Sequence, residues 1–181
     1  GTYNNAIGYQ ALSSNTTASF NVANGHYALF ANTTGADNTA VGVGSLGANT
    51  TASNNTAIGR LALGAVTTGA GNTSVGSLAL DANTTADENT AVGFKALTLN
   101  TTGTDNISLG AYALQRNTTG DFNVGIGYDA LGNNTTADYN SATGYHSLKL
   151  NTTGSENAGF GSYSLQANTT GGSNTAVGYQ A

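Results

Sequence analysis

The stretch NTTADENTAVGFKAL, residues 83–97, is one copy of a phrase that returns every 17 residues along the chain. From Asn4 to the last residue the register holds without insertion or deletion. A fixed period of this length is typical of repeat proteins, in which each repeat is one structural unit stacked on the next. The 181 residues are therefore predicted to form a single repeat domain, 1–181. The repeats begin at Asn4, Asn21, Asn38, Asn55, Asn72, Asn89, Asn106, Asn123, Asn140, Asn157 and Asn174.

We number repeat positions from this asparagine, which gives the consensus N-T-A-V-G-Y-x-A-L-x-x-N-T-T-(G/A)-x-x. Position 5 is Gly in every copy, position 9 is Leu in all ten complete copies, and positions 13 and 14 are Thr-Thr in each of them. If successive repeats stack, these residues form ladders along the molecule. Representative members are Asn38, Gly42, Leu46, Asn89, Gly93, Leu97, Asn106, Gly110 and Leu114.

Composition excludes several classes of protein. Charged residues make up only 7% of the chain and Pro is absent, which suits neither an ordinary globular surface nor typical disorder. No Cys occurs, so there is no disulfide framework and no thiolate site. The net charge of −5 and four scattered basic residues argue against nucleic acid as a partner. No apolar run is long enough to span a bilayer, so no membrane insertion is predicted in this segment.

The repeat predicts an all-β, parallel β-solenoid with one repeat per coil and about ten and a half coils. A 17-residue unit is too short for two helices, and a Gly in each copy disfavours helix. We predict short strands at positions 2–4 and 7–9 and a third segment near 12–14. With strands about 4.8 Å apart, the rod is about 50 Å long. Leu at position 9 and Val or Ile at position 4 are predicted to form two core ladders, which Asn24 and Thr143 interrupt.

Small and polar positions have predicted roles in this coil. Ala and Ser at positions 3 and 8 suit places where two walls come close, and Gly at position 5 suits a turn or a close backbone approach. Stacked Asn amides can hydrogen-bond one another and the turn backbone. Thr at 13 and 14 adds β-branched stiffness and hydroxyl ladders.

The outward corners follow from the charges, all thirteen of which fall at positions 6, 7, 10, 11, 16 or 17. Thirteen of the fourteen Phe and Tyr are also predicted to face outward, with Phe160 the exception. At positions 6 and 7 they form a stripe, in which Val43, Leu61 and Leu78 fill the same row. We predict that this stripe is a subunit interface. The alternatives are that the side chains fold over the corner of their own coil, or that they form a ligand-binding strip. The aromatic members are Tyr9, Tyr27, Phe94, Tyr112, Tyr128, Tyr145, Tyr163 and Tyr179.

No catalytic site, metal site or cofactor is predicted. The two histidines, His26 and His146, are seven coils apart, so they form neither a triad nor a metal cluster. Asp121 and Asp138 are predicted to stack about one strand spacing apart, as are Glu88 and Asp105. Such a pair of carboxylates could act in acid–base chemistry or hold Ca²⁺. A solvated acidic edge explains them better.

Asn-Thr-Thr at position 12 matches the N-glycosylation sequon in nine of ten coils, which follows automatically from the repeat. Whether these asparagines can be glycosylated depends on their exposure, because an outward Asn could carry a glycan and an inward one could not. The sites are Asn15, Asn32, Asn49, Asn83, Asn100, Asn117, Asn134, Asn151 and Asn168.

The stretches NNAIG (4–8), NTAVG (38–42, 89–93, 174–178) and NTAIG (55–59) resemble the Asn-x-x-Ile/Val-Gly signature of YadA-like head repeats in trimeric autotransporter adhesins. Similar repeats occur in phage tail fibres. The resemblance implies a left-handed parallel β-roll, three chains side by side, and display on a bacterial cell or virion for attachment. The period here is longer by an NTTG segment, and no heptad stalk, anchor barrel or chaperone domain accompanies it.

We therefore expect a non-catalytic extracellular fibre or adhesive module that associates with itself, as a homotrimer or filament, and contacts a host-surface receptor or glycan. Ice binding by Thr ladders is the alternative, although adjacent Thr-Thr points its hydroxyls to opposite sides of a strand. A glycan-binding or glycan-cleaving tailspike is a third. The chain starts and stops in mid-repeat, so we expect it to continue at both ends.

Overall fold

The computed structural model describes all residues, 1–181, and contains no helix. One three-residue strand occupies positions 2–4 of each repeat, and in six of the eleven strands β-branched residues flank a small one. The strands are β1 (Asn5–Ile7), β2 (Val22–Asn24), β3 (Thr39–Val41), β4 (Thr56–Ile58), β5 (Thr73–Val75), β6 (Thr90–Val92), β7 (Ile107–Leu109), β8 (Val124–Ile126), β9 (Ser141–Thr143), β10 (Ala158–Phe160) and β11 (Thr175–Val177).

All strands pair in parallel in one sheet, in the order in which they occur along the chain. The register equals the repeat, as in the pairing of Thr90 with Ile107 between β6 and β7. Each repeat is therefore one coil of a parallel β-solenoid, which confirms the predicted fold class. Successive Leu side chains at position 9 also lie one coil apart, since the amide of Leu97 bonds the carbonyl of Ala113, the residue before Leu114, at 3.0 Å.

The prediction of a second strand at positions 7–9 is wrong, because these positions form turns, and the third segment near positions 12–14 forms bends rather than a strand. Every Leu at position 9 has a left-handed backbone, with φ between 48 and 54°. Positions 7 and 17 are left-handed as well, with residues as large as Tyr27 and Phe20. A left-handed non-glycine residue costs about 1–3 kcal/mol and persists only where its surroundings hold it.

Hydrogen bonds between coils continue through these turns. Only 20 of the 120 backbone–backbone hydrogen bonds lie within strands. Outside them, Tyr112 donates to the carbonyl of Phe94 at 3.0 Å, and Thr101 donates to the carbonyl of Thr118 at 2.9 Å. The stack is thus held around most of its circumference, which satisfies backbone groups that a turn would otherwise expose.

Gly at position 5 is required for two reasons. Its φ lies between 128 and 146° in all copies, a region that side chains disfavour. A Cβ on Gly93 would also come within 2.6 Å of the carbonyl carbon and oxygen of Gly110 in the next coil. The close approach predicted for this position is confirmed.

The core is thin and consists of Leu at position 9, Ala at positions 3 and 8, and Val66 at position 12. Most of these side chains are fully buried. The prediction that Val and Ile at position 4 form a second core ladder is wrong, since these side chains point outward. The prediction that Phe160 is the one aromatic residue that does not face outward is also wrong, because its side chain is 44% exposed. The middle residue of each three-residue strand faces inward, so positions 2 and 4 face out.

Two ladders of buried asparagine line the remaining interior. At position 1, the amide N–H of Asn106 donates to Oδ1 of Asn89 at 3.0 Å, and its Nδ2 donates to the carbonyl of Gly120 at 2.8 Å. At position 12, Nδ2 of Asn117 donates to Oδ1 of Asn100 at 3.0 Å and to the same Gly120 carbonyl at 2.8 Å. Both ladders satisfy buried backbone and side-chain groups. In the position 12 ladder, Oδ1 of Asn15, Asn49 and Asn83 is left without a donor.

Candidate functional site

The outer face of the sheet carries an apolar row, formed by position 4 of every coil. We call it the sheet-face row. Nine of its eleven members are apolar, and six of these are 36 to 73% exposed. Asn24 and Thr143 are the two polar members. The row consists of Ile7, Asn24, Val41, Ile58, Val75, Val92, Leu109, Ile126, Thr143, Phe160 and Val177.

Sequence reasoning missed this row as a surface because it counted Val and Ile as core. The signal was present at position 3, which is always Ala, Ser or Gly. In a strand of three residues, a small middle residue with larger neighbours on both sides indicates that the middle one faces a close-packed interior.

An aromatic ladder lies at the corner next to the sheet. Its ring centroids are 5.5 Å apart from Phe94 to Tyr112, 5.6 Å to Tyr128, 5.5 Å to Tyr145, 5.4 Å to Tyr163 and 5.8 Å to Tyr179. These distances suit favourable aromatic pairs. The structure therefore brings six members of the predicted stripe together, and "aromatic ladder" refers to these six.

Within the ladder, position 6 and position 7 supply rings of different exposure. Phe94, Tyr128, Tyr145 and Tyr179 come from position 6 and are 43 to 69% exposed. Tyr112 and Tyr163 come from position 7 and are half-buried between them. Each exposed ring thus packs against a half-buried ring of an adjacent coil.

The rest of the predicted stripe is discontinuous. Tyr9 and Tyr27 form a separate pair with ring centroids 5.7 Å apart, joined by His26 and Phe30. Between the two groups, position 6 holds Val43, Arg60 and Ser77. No aromatic ring occupies positions 6 or 7 in these three coils.

A charged cluster borders the ladder. Nζ of Lys149 lies 2.9 Å from Oδ2 of Asp129, and Nε2 of His146 lies 3.7 Å from the same oxygen. The His146 ring stacks on Tyr145 with centroids 3.9 Å apart. Burial, followed by repulsion from Lys149, lowers the pKa of His146, while Asp129 opposes this shift.

The Asn-Thr-Thr asparagines point inward. The seven from Asn32 to Asn151 are fully buried, and their Nδ2 atoms donate to the carbonyl three residues on, as Asn83 does to Ala86 at 3.0 Å. The folded coil has no room for a glycan at these seven amides. Asn15 and Asn168, in the two end coils, are partly exposed and bond in the same way to Ala18 and Gly171.

Aspartates at position 16 accept hydrogen bonds from backbone amides of the preceding coil. The carboxylate of Asp121 accepts from the amide of Thr104 at 2.7 Å, and that of Asp138 accepts from the amide of Asp121 at 2.8 Å. Ser155 accepts from the amide of Asp138 at 3.1 Å in the same way. Position 16 thus supplies an acceptor to the coil before it, a role that the sequence analysis did not predict. Glu88 and Asp105 at position 17 make no such bond.

The two threonines of each repeat differ. The position 13 hydroxyl donates to the next coil, as Oγ1 of Thr118 does to the carbonyl of Thr135 at 3.0 Å. At position 14 the threonine is exposed in all ten coils and its hydroxyl is not bonded within the chain.

Other site types find little support in the geometry. No group of three or more His, Asp or Glu side chains is arranged to hold a metal ion. The single cavity has a volume of about 420 Å³ and lies in the last two coils, between Tyr163, Gln166 and Gln180. No helix that could cross a membrane is present.

No family model, no curated protein and no solved structure matches this chain. The YadA-like signature in the repeats is therefore a resemblance of short motifs.

Proposed function

We propose that this chain is a non-catalytic structural or adhesive module of an extracellular fibre, displayed on a cell surface or virion, in which copies associate side by side. The observation that carries the proposal is the exposed apolar sheet-face row, which runs the length of the rod. Rows of this kind on soluble proteins mark interaction surfaces.

A second copy of the chain suits this row better than an unrelated partner. Two parallel rods in axial register would place equivalent apolar side chains opposite each other in nine of the eleven coils. The whole outer face of the sheet, three residues wide and about 50 Å long, covers about 500 Å². The sheet-face row is the apolar part of this face, beside the mostly polar row at position 2. The resemblance to head repeats implies three chains.

Burial also favours association. A single coil has one Leu and two or three small apolar side chains in its interior, which is little for 17 ordered residues. Packing the sheet-face rows together would remove β-branched side chains from water at about 25 cal/mol per Å² of apolar surface.

The test is the oligomeric state of the full chain by sedimentation equilibrium. The variant Val92→Lys/Ile126→Lys adds charge to the row, and Leu99→Lys/Leu150→Lys is the matched control, since these position 11 side chains are 48% and 40% exposed elsewhere on the rod. We expect the wild type and the control to form oligomers and the row variant to be monomeric. A monomeric wild type at tens of micromolar, or equal loss in both variants, contradicts the proposal.

Ice binding is the second candidate, because exposed threonine continues without a break at position 14 in all ten coils. The bonding of the position 13 hydroxyls to the backbone leaves only one free hydroxyl per repeat in this segment. Thermal hysteresis of the wild type, lost in Thr85→Lys/Thr102→Lys, would favour this candidate over the fibre.

A further inference from the structure

We propose that copies of this chain meet edge to edge, so that the position 17 edge of one copy packs against the position 6 and 7 edge of the next at the same height along the rod. This inference rests on the proposed lateral association and names the second surface that the association uses. The two edges border the sheet face on opposite sides, because position 17 precedes each strand and position 6 follows it.

The two edges do not touch within one chain. Tyr139 and Tyr145 lie at opposite ends of β9, with the strand and two further residues between them. Six residue steps of extended chain span up to about 20 Å. Each ring instead stacks within its own row, Tyr139 on Phe122 at 5.0 Å and Tyr145 on Tyr128 at 5.5 Å. A contact between the two edges therefore requires a second copy.

Aromatic residues occur at both ends of the same strands. Every aromatic residue at position 17 precedes a strand that an aromatic residue at position 6 or 7 follows. The pairs are Tyr3 with Tyr9, Phe20 with Tyr27, Phe122 with Tyr128, and Tyr139 with Tyr145. β3, β4 and β5 have an aromatic residue at neither end. In rods that stand in axial register, rings of one edge would therefore meet rings of the neighbouring copy.

The charges of the two edges are complementary. Position 17 holds four of the nine acids and no basic residue, whereas positions 6 and 7 hold two of the four basic residues. Glu88 and Lys95 lie at opposite ends of β6, and neither they nor Asp105 form an ion pair within the chain. The one acid at positions 6 and 7, Asp129, is already paired with Lys149. A neighbouring copy in register would bring Lys95 toward Glu88 and Asp105.

This complementarity favours parallel rods over antiparallel ones. A rotation axis along the rods keeps every coil at its own height and turns the position 17 edge of one copy toward the position 6 and 7 edge of the next, in a pair or in a ring of three. An antiparallel pair with its sheet faces together would place position 17 against position 17. Acids would then face an edge that has no basic residue, and contacts between like charges disfavour association.

Cysteine cross-linking tests the contact directly, because the chain contains no Cys of its own. Full chains with Tyr139→Cys and with Tyr145→Cys are co-expressed with different tags and treated with a short bismaleimide. Tyr139→Cys with Leu150→Cys is the matched control, since Leu150 is exposed in the same coil at position 11, away from both edges. We expect a cross-linked dimer of the two tagged chains in at least about ten-fold excess over the control, and none from Tyr139→Cys alone.

Charge reversal gives a second measurement that leaves the rings in place. Glu88→Lys and Lys95→Glu should each weaken association at least about ten-fold in sedimentation equilibrium, because each places like charges together. Both changes in one chain should restore association to within about three-fold. Arg116→Glu, at position 11, is the control and should stay within about two-fold. Circular dichroism is recorded for each variant.

Three results would overturn the inference. The first is cross-linking of Tyr139→Cys with itself, which would mean that like edges meet. The second is an oligomer whose first mixture cross-links no more than the control, and the third is a double reversal that restores nothing. In each of these cases an oligomer that Val92→Lys/Ile126→Lys dissociates leaves the proposed lateral association standing. A monomeric wild type overturns both proposals.

Discussion

Asn49 and Val66 occupy the same position in successive coils, and Oδ1 of Asn49 is buried without a hydrogen-bond donor. In five other places in this ladder the next asparagine supplies the donor, as Asn117 does for Asn100, whereas Oδ1 of Asn15 and of Asn83 also lacks a donor although an asparagine follows one coil on. Val66 has no N–H to offer from its side chain and is itself fully buried. An unsatisfied buried acceptor costs about 1–3 kcal/mol.

Val66→Asn is therefore expected to stabilise the chain. The new amide can donate to Oδ1 of Asn49 and accept from Nδ2 of Asn83, and its volume is close to that of Val. We expect the free energy of unfolding to rise by about 1 kcal/mol, measured by urea denaturation. Val66→Ala, which removes apolar volume and adds no donor, should lower it by about 1–3 kcal/mol. A Val66→Asn variant less stable than the wild type would show that packing outweighs the missing bond.

Gly93→Ala should be strongly destabilising. The new Cβ meets the backbone of Gly110 at 2.6 Å, and the φ of 137° disfavours any side chain. Neighbouring coils must separate, so we expect a loss of at least about 3 kcal/mol in urea denaturation. Gly71→Asn is the control, because Gly71 has a positive φ of 70° but no atom within 3.4 Å of its added Cβ. The control should change stability by less than about 1 kcal/mol, and an equal loss in both would attribute the effect to φ alone.

The register could be predicted from the sequence because every coil repeats the same constraint. A Leu that returns every 17 residues has one stacking arrangement, and the pairing of Thr90 with Ile107 follows from it. The path within a coil could not be predicted in the same way. The left-handed backbone at Leu97 has no local signal, since Leu normally avoids this region and is held there by the coils on either side.

Of the two candidate surfaces, the aromatic ladder could be predicted from the sequence and the sheet-face row could not. The rings of the aromatic ladder lie on a corner, where charged residues such as Lys95 and Asp129 share their positions, so their exposure could be predicted. The sheet-face row has no charge among its members, so apolar composition alone indicated core. Only the pleat of a three-residue strand separates Val92, which faces out, from Ala91, which faces in.

Adjacent threonines should respond differently to the same substitution. Thr118→Val removes the hydroxyl that bonds the carbonyl of Thr135 at 3.0 Å and should cost about 1 kcal/mol. Thr119→Val removes a hydroxyl that is exposed and unbonded, so its effect should stay within about 0.5 kcal/mol. Both are isosteric changes in one coil, and urea denaturation of the pair compares them. Equal losses would mean that both hydroxyls are satisfied in the folded chain.

Asp81→Asn is expected to stabilise the chain at neutral pH and to have no effect at low pH. Burial raises the pKa of the Asp81 carboxyl above its usual 3.8, and attraction to Arg60 offsets this only in part. A raised folded-state pKa means that the folded chain binds the proton more tightly than the unfolded chain does. Stability therefore falls as the pH rises from 3.8 through the folded-state pKa, and then stays constant.

The measurement is the melting temperature of both proteins at pH 7 and below pH 3.8. The difference in favour of Asp81→Asn should be present at pH 7 and disappear in acid, where the wild-type carboxyl is protonated in both states. Asp105→Asn makes the same change in net charge at position 17 and separates a general charge effect from one that depends on the surroundings of Asp81. A difference that grows on acidification would mean that the carboxylate, rather than the acid, is the form that the fold favours.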